Sequence, residues 1–139
     1  TAYGKLLVGD NQDGRIGSVE VDTYTEYDSE IIRTMSTQVI SDQGRSMVIS
    51  ELEATFEAGV GGANTPDPQI RMSVAHDGKS FGNELLRSIG GVGQFEQRAI
   101  WYRLGRFARM SVVEFIMSDP VNPTFIKLEA RIRQGNGGN

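Results

Sequence analysis

The sequence predicts an all-β protein, folded as an antiparallel β-sandwich of the jelly-roll-like kind. Apolar and polar residues alternate with a period of two over many short runs, a pattern typical of strands with one buried and one solvated face. Glycine-containing turn dipeptides separate the runs at intervals of roughly 8–12 residues, as in β-sandwiches. No segment carries a convincing helical pattern, which favours a fold made of strands alone.

The run from 50 to 57 shows the alternation most clearly. Leu52, Ala54 and Phe56 are expected to share the buried face, because successive strand residues point to opposite sides of a sheet. The other face, with Glu51, Glu53, Thr55 and Glu57, is expected to face solvent. This run therefore predicts a half-buried strand with a charged outer surface.

The last predicted strand repeats this pattern near the end of the chain. Its apolar residues, Ile126, Leu128, Ala130 and Ile132, are expected on one face, and charged residues on the other. Further strands are predicted by alternation and by β-branched residues. In chain order they are 4–9, 16–25, 32–40, 70–76, 84–88, 97–104 and 110–117.

The chain is expected to divide into three parts. The alternation is lost around residues 27–31, so residues 1–28 are assigned to the end of a preceding β domain and 29–134 to the sandwich. Residues 135–139 are predicted to form a disordered tail, because they are polar and rich in glycine. Within the sandwich, the glycine- and proline-rich stretch Gly59–Pro68 predicts a long contact loop.

Composition excludes several classes of function. The chain has no cysteine, which rules out disulfides, cysteine-bound zinc and thiol catalysis. No apolar run approaches the roughly 18 residues that cross a bilayer. Residues 1–94 carry 7 basic and 14 acidic side chains, a balance of −7, whereas residues 95–139 carry 7 and 4, a balance of +3. A surface with both negatively and positively charged regions suits docking to charged partners. Specific nucleic-acid recognition is disfavoured, because nucleic-acid-binding domains are usually basic as a whole.

Catalytic and cofactor sites are not expected. His76 is the only histidine, and one histidine cannot build a histidine-rich metal site. The adjacent Asp77 would point to the opposite strand face, so His76 is predicted to be an exposed turn residue. No serine-nucleophile elbow, phosphate-binding loop or recognisable glycosidase acid pair is present. We therefore predict no enzyme activity, no cofactor and no metal.

The most distinctive run is R-A-I-W-Y-R-L-G-R-F-A-R at Arg98–Arg109, in which the only tryptophan stands among four arginines. Trp101 and Arg103 are expected on one strand face, within cation–π reach. Three interpretations remain open: a structural ladder in which an arginine bridges to Asp119 or to a carbonyl, a subunit interface, and stacking on nucleic-acid bases. Trp101, Arg103, Arg106 and Asp119 are the candidate interface residues.

An ordered series of short motifs runs through the second half of the chain. It consists of F-E-A-G-V-G (56–61), D-P-Q (67–69), S-x-x-x-D-G-K-S-F-G-N-E (73–84), R-S-I-G (87–90), R-x-x-W-x-R-L-G-R (98–106) and S-D-P-V (118–121). In this order the series resembles the end of the packaged-DNA stabilisation proteins of short-tailed bacteriophages, which are also called tail accessory, hub or nozzle proteins. The resemblance covers about residues 50–132.

The resemblance implies a fold and a place in the virion. Such proteins join a β-propeller to a β-sandwich, so residues 1–28 would be the last propeller strands. They form a homohexameric ring below the portal and its adaptor, assembled in the host cytoplasm and retained in the virion tail. The ring stabilises packaged DNA, with at most non-specific DNA contact, and holds tailspikes or fibres and the needle or plug. The family offers no catalytic residues to carry over.

An alternative function is a carbohydrate-binding β-sandwich that helps to recognise the host surface. Such sites need exposed aromatic platforms. The aromatic residues of this chain are few, and most fall at alternating core positions. The alternative is therefore the weaker of the two hypotheses.

Overall fold

The computed structural model describes residues 3–57, 59–62 and 64–134, with side chains as far as residue 133. Within these ranges the chain forms eleven strands and no helix, hence none that could cross a membrane. The all-β prediction is confirmed. The predicted tail, 135–139, lies outside the described residues. The strands are β1 (Leu6–Gly9), β2 (Ile16–Val19), β3 (Thr25–Glu26), β4 (Ser29–Glu30), β5 (Arg33–Ser36), β6 (Met47–Phe56), β7 (Gln69–Ala75), β8 (Leu85–Ser88), β9 (Ala99–Phe107), β10 (Val112–Met117) and β11 (Phe125–Gln134).

Two antiparallel sheets form the body of the protein. One has four strands in the order β5-β10-β7-β8, and the other has three in the order β11-β6-β9. Both sheets contribute buried side chains to one hydrophobic cluster, which is the defining property of a sandwich. The predicted antiparallel β-sandwich is therefore confirmed.

Alternate residues of the central strands fill this cluster. Leu52 and Ala54 are buried as predicted, and Phe56 is half-buried and packs against the cluster. The buried members are Met47, Ile49, Leu52, Ala54, Ile70, Met72, Ile89, Ala99, Trp101, Phe107, Val113, Phe115, Met117 and Val121.

A bulge in β6 allows both halves of the strand to contribute side chains to the core. Met47 and Ile49 are buried at odd positions, whereas Leu52 and Ala54 are buried at even positions. The register with both neighbouring strands shifts at Ser50. Because side chains alternate with a period of two, one extra residue switches the inward-facing set and keeps both halves pointing inward.

One long side of the sandwich is closed by contacts between β8 and β9. The indole Nε1 of Trp101 donates a hydrogen bond to the Leu85 carbonyl at 2.9 Å. The Arg87 Nε donates to the Ile100 carbonyl at 2.7 Å. These side chains join an edge of one sheet to an edge of the other, which satisfies two edge carbonyls.

The edge strand β11 differs from its predicted pattern. Phe125 pairs with Phe56, their rings 5.5 Å apart, and the register then shifts so that Ile126 is an extra residue. Leu128 is half-buried against the core, but Ile126 and Ile132 stay exposed. The apolar face of the last strand is therefore only partly covered, because an edge strand has a neighbour on one side only.

Two hairpins precede the sandwich. The β3–β4 hairpin turns at Tyr27 and Asp28, both with positive φ (46° and 67°), as a type I′ turn requires. The Arg15 guanidinium lies over the Tyr27 ring at 4.2 Å, so the turn packs against the β1–β2 hairpin. The β3–β4 hairpin includes residues on both sides of the predicted boundary after residue 28, and that boundary stays a prediction.

Paired isoleucines on adjacent strands offer a direct comparison of core and edge. Ile49 on β6 is 1% exposed, and its partner Ile132 on β11 is 52% exposed. We expect Ile49→Ala to lower the free energy of unfolding by about 2–5 kcal/mol, and Ile132→Ala by less than about 1 kcal/mol. Chemical denaturation of the two variants measures this difference. Equal losses would show that β11 is as well covered as β6.

Candidate interface at the arginine-rich end

Trp101 lies inside the sandwich. Its side chain is 0% exposed, and its indole Nε1 donates to the Leu85 carbonyl on β8. Its ring lies 5.6 Å from that of Phe115 in the opposite sheet. Trp101 therefore holds β9 against β8 and β10, and it would support an interface from beneath rather than touch a partner.

Arg103 does not share the face of Trp101, contrary to the prediction. The pairing of β9 with β6 shifts between Tyr102 and Gly105, which leaves Arg103 and Leu104 as extra residues. Arg103 and Gly105 have φ values of 58° and 84°, in the left-handed region that a residue with a Cβ seldom adopts. A bulge redirects side chains in this way, so Arg103 is exposed while Trp101 is buried.

Arg106 lies next to a second arginine from a distant part of the sequence. Arg106 on β9 and Arg133 on β11 both pair with Val48 of β6, so they flank it on the outer face of the three-stranded sheet. Arg45 precedes β6 and Arg109 follows β9, and the adjoining ends of these strands are paired. We call this set the arginine-rich end: Arg45, Arg103, Arg106, Arg109 and Arg133.

None of these five guanidinium groups has a carboxylate within 4.0 Å among the described residues. The middle of the same outer face is different. Arg98 forms two hydrogen bonds with the Glu53 carboxylate, which lower the pKa of Glu53, and Arg131 lies 3.7 Å from Glu51. Glu51 and Glu53, which were predicted to face solvent, are therefore paired with arginine, while the end of the sheet keeps unbalanced positive charge.

Asp119 has a structural role at the opposite end of the sandwich. Its carboxylate accepts a hydrogen bond from the Gln69 backbone N–H at 2.6 Å. The backbone carbonyls of Asp119 and Val121 both accept hydrogen bonds from the Arg33 guanidinium. Burial lowers the pKa of Arg33. The bridge that was predicted for an arginine of the Trp101 run is thus made instead by Arg33 of β5, and its acceptor is the Asp119 backbone carbonyl.

His76 and Asp77 form a turn and not a catalytic pair. His76 is exposed, as predicted, and lies edge-on to Phe107 with ring centroids 5.3 Å apart. The Asp77 carboxylate accepts hydrogen bonds from the backbone N–H groups of Ser80 and Lys79, which lower its pKa to about 2. At neutral pH Asp77 is therefore ionised and holds the turn.

A cleft of about 670 Å³ lies where residues 22–25, the Gly59–Pro68 segment and residues 120–122 meet. Asp22 and Glu57 line it. The predicted contact loop forms part of its wall, although Ala63 lies outside the described residues. In the part of the chain that the structure describes, no group of three histidine, aspartate or glutamate side chains is placed to hold a metal ion.

The Asp119 contact yields a stability prediction. Asp119→Ala removes the acceptor for the Gln69 N–H and is expected to lower the free energy of unfolding by about 1–3 kcal/mol. Asp119→Asn keeps an acceptor oxygen and is expected to lose less than half as much. Chemical denaturation at neutral pH measures both. If both variants were as stable as the wild type, the hydrogen bond to Gln69 would contribute nothing to the fold.

Comparison with known proteins identifies the family of the chain. No curated protein matches the chain. A family model described as "Bacteriophage P22 Gp10, beta-sandwich" matches residues 32–133, well over half of the chain, and spans β5 to β11 almost completely. The chain therefore belongs to the bacteriophage P22 Gp10 β-sandwich family, which makes it a structural component of a phage tail hub.

Proposed function

We propose that this chain is an assembly module of a homohexameric tail ring, and that its arginine-rich end contacts a neighbouring subunit. The observation that carries the proposal is the set of five arginines without carboxylate partners in the described structure. Arginine is enriched in protein interfaces because its planar group forms several hydrogen bonds at once. Trp101 supports this surface from the core.

The other end of the described chain supplies a surface of opposite sign. Residues 3–30 contain Lys5 and Arg15 but seven acidic residues, and segment 22–25 meets the loops at the end of the sandwich away from the arginine-rich end. A ring repeats one contact between two different surfaces of the subunit. A basic surface and an acidic surface on one chain suit such a contact, because opposite charges steer and orient the partners.

The wider role follows from the motif resemblance together with the family. The ring would lie below the portal and its adaptor, stabilise packaged DNA, and dock the tailspike or fibre and the needle or plug. Assembly would take place in the host cytoplasm before the ring becomes part of the virion. Any DNA contact of the arginine-rich end would be non-specific, because phosphate contacts carry no sequence information.

We also propose that residues 1–28 belong to a preceding propeller-like domain. The β1–β2 hairpin exposes Leu6 and Val19 on one face and Leu7 and Ile16 on the other. An isolated two-stranded hairpin is marginally stable in water, so apolar side chains on both faces suit a position between other strands. The family match begins only at residue 32, which also supports a separate unit before the sandwich.

A structural role without catalysis fits the state of the acidic groups. Asp77 and Asp119 accept backbone hydrogen bonds, and Glu53 is paired with Arg98. The carbohydrate-binding alternative gains less support, because exposed aromatic rings lie on separate elements. Tyr102 is on the outer face of a sheet, whereas Phe95 lies in a connecting loop against Gly59.

The ring contact is tested with the double variant Arg103→Ala/Arg106→Ala in the full-length protein. Removal of two interface arginines is expected to weaken subunit association at least tenfold, because such residues contribute about 1–3 kcal/mol each. Native mass spectrometry should then show smaller species in place of hexamers, and complementation of a phage lacking the protein should yield fewer infectious particles.

Arg71→Ala is the matched control for this experiment. Arg71 lies on the outer face of the other sheet and is paired with Glu84 at 3.2 Å. Its loss should leave assembly unchanged, because exposed ion pairs contribute little. A double variant that assembles like the wild type would contradict the proposed interface.

A further inference from the structure

The two long sides of the sandwich are not equivalent. Hydrogen bonds from Trp101 and Arg87 close the β8–β9 side. On the other side, β5 and β11 are edge strands of different sheets, and no hydrogen bond joins them among the described residues. The sandwich is therefore open along β5 and β11.

Inward-facing residues remain exposed on both lips of this opening. Met35 on β5 pairs with buried Phe115, yet it is 38% exposed. Ile132 on β11 pairs with buried Ile49, yet it is 52% exposed. Paired residues share a face of their sheet, so these side chains belong to the inner layer but lack a cover.

The edge of β11 is suited to accept another strand. It is ten residues long and pairs with β6 only, and no described strand occupies its other edge. The alternate residues Leu128, Ala130 and Ile132 of β11 face inward, and none of them is charged. An inward-facing charge is one of the devices by which natural edge strands avoid pairing with another strand, and β11 lacks it. One added strand would also balance the sheets, because the opposite sheet has four strands and this one has three.

The charges of β11 define the chemistry of the incoming strand. Its outer row contains Lys127, Glu129, Arg131 and Arg133. Lys127 is paired with Glu129 at 2.7 Å and Arg131 lies 3.7 Å from Glu51, so among the described residues Arg133 is the cation of this row without a carboxylate within 4.0 Å. Residues directly opposite each other on one sheet face attract when their charges differ and repel when they match. The favoured partner therefore carries acidic residues on its outer face and apolar residues on its inner face.

We infer that β11 binds an extended segment of another tail protein, in which apolar and acidic residues alternate, as an added fourth strand of its sheet. Backbone hydrogen bonds would supply affinity, and the alternating side chains would supply specificity. The inner side chains of the segment would cover Ile132 and its neighbours. This inference rests on the proposed assembly role and names the chemistry of one partner.

Peptide binding tests the inference with three labelled octapeptides. The first alternates valine and glutamate, the second contains the same residues in two blocks, and the third alternates valine and lysine. Fluorescence anisotropy with the wild-type chain should show binding of the first peptide, at least tenfold weaker binding of the block peptide, and weaker binding still of the lysine peptide. Hydrogen exchange should show added protection in β11 and none in β8.

Two variants of equal exposure localise the binding. Ile132→Glu places a charge in the inner row of β11, where the wild-type residue is 52% exposed. Leu86→Glu places the same charge on the outer face of β8, opposite Arg71, where the wild-type residue is 51% exposed. Ile132→Glu should weaken binding of the alternating valine–glutamate peptide at least tenfold, whereas Leu86→Glu should change it less than twofold. Circular dichroism and denaturation confirm that both variants are folded.

Several results would overturn the inference. Equal binding of all three peptides, no binding of the first, or equal effects of the two variants would each remove β11 as the site. Protection of β11 that rises with protein concentration in the absence of peptide would identify a second copy of this chain as the occupant instead. If the peptide fails but Arg103→Ala/Arg106→Ala still disrupts the ring, only the strand-addition inference is lost.

Discussion

One continuous apolar layer between the two sheets determines the rest of this structure. Burial of an isoleucine, leucine or phenylalanine side chain contributes about 1.5–3 kcal/mol, and the layer contains such residues from β6, β7, β9 and β10. The bulge at Ser50 is essential to it, because without the extra residue one half of β6 would turn its apolar side chains outward. Trp101 completes the layer where the two sheets meet.

This interior leaves the outer faces and ends of the sandwich free for assembly. Several charges on the outer sheet faces are paired within the chain, as Arg98 is with Glu53, and such exposed ion pairs contribute little to stability. The arginine-rich end differs in its unpaired positive charge, and the β11 edge differs in its uncovered apolar surface. A protein of this kind acts by the shape and charge of its exposed surfaces, and its proposed role requires no chemistry in a pocket.

The sequence predicted the strands well because alternation reports directly on burial, as Leu52 and Ala54 illustrate. It did not predict the bulges, because an extra residue becomes visible only against a partner strand. For that reason the prediction that Trp101 and Arg103 share one strand face was wrong. The proximity of Arg106 and Arg133 was also hidden, because it depends on the sheet order β11-β6-β9. The hydrogen bonds from Arg33 to two backbone carbonyls were not predicted either. An arginine at an inward-facing strand position could have indicated them, because a buried guanidinium needs hydrogen-bond acceptors.

Native-state hydrogen exchange of the isolated chain tests the central claim, that the apolar layer between the sheets holds the fold together. Backbone amides of β6, β7 and β10 should exchange only through global unfolding, because these strands supply the side chains on both sides of the apolar layer. Amides of β11 and of the β1–β2 hairpin should exchange faster through local opening. Equal exchange rates in β6 and β11 at low protein concentration would contradict the account.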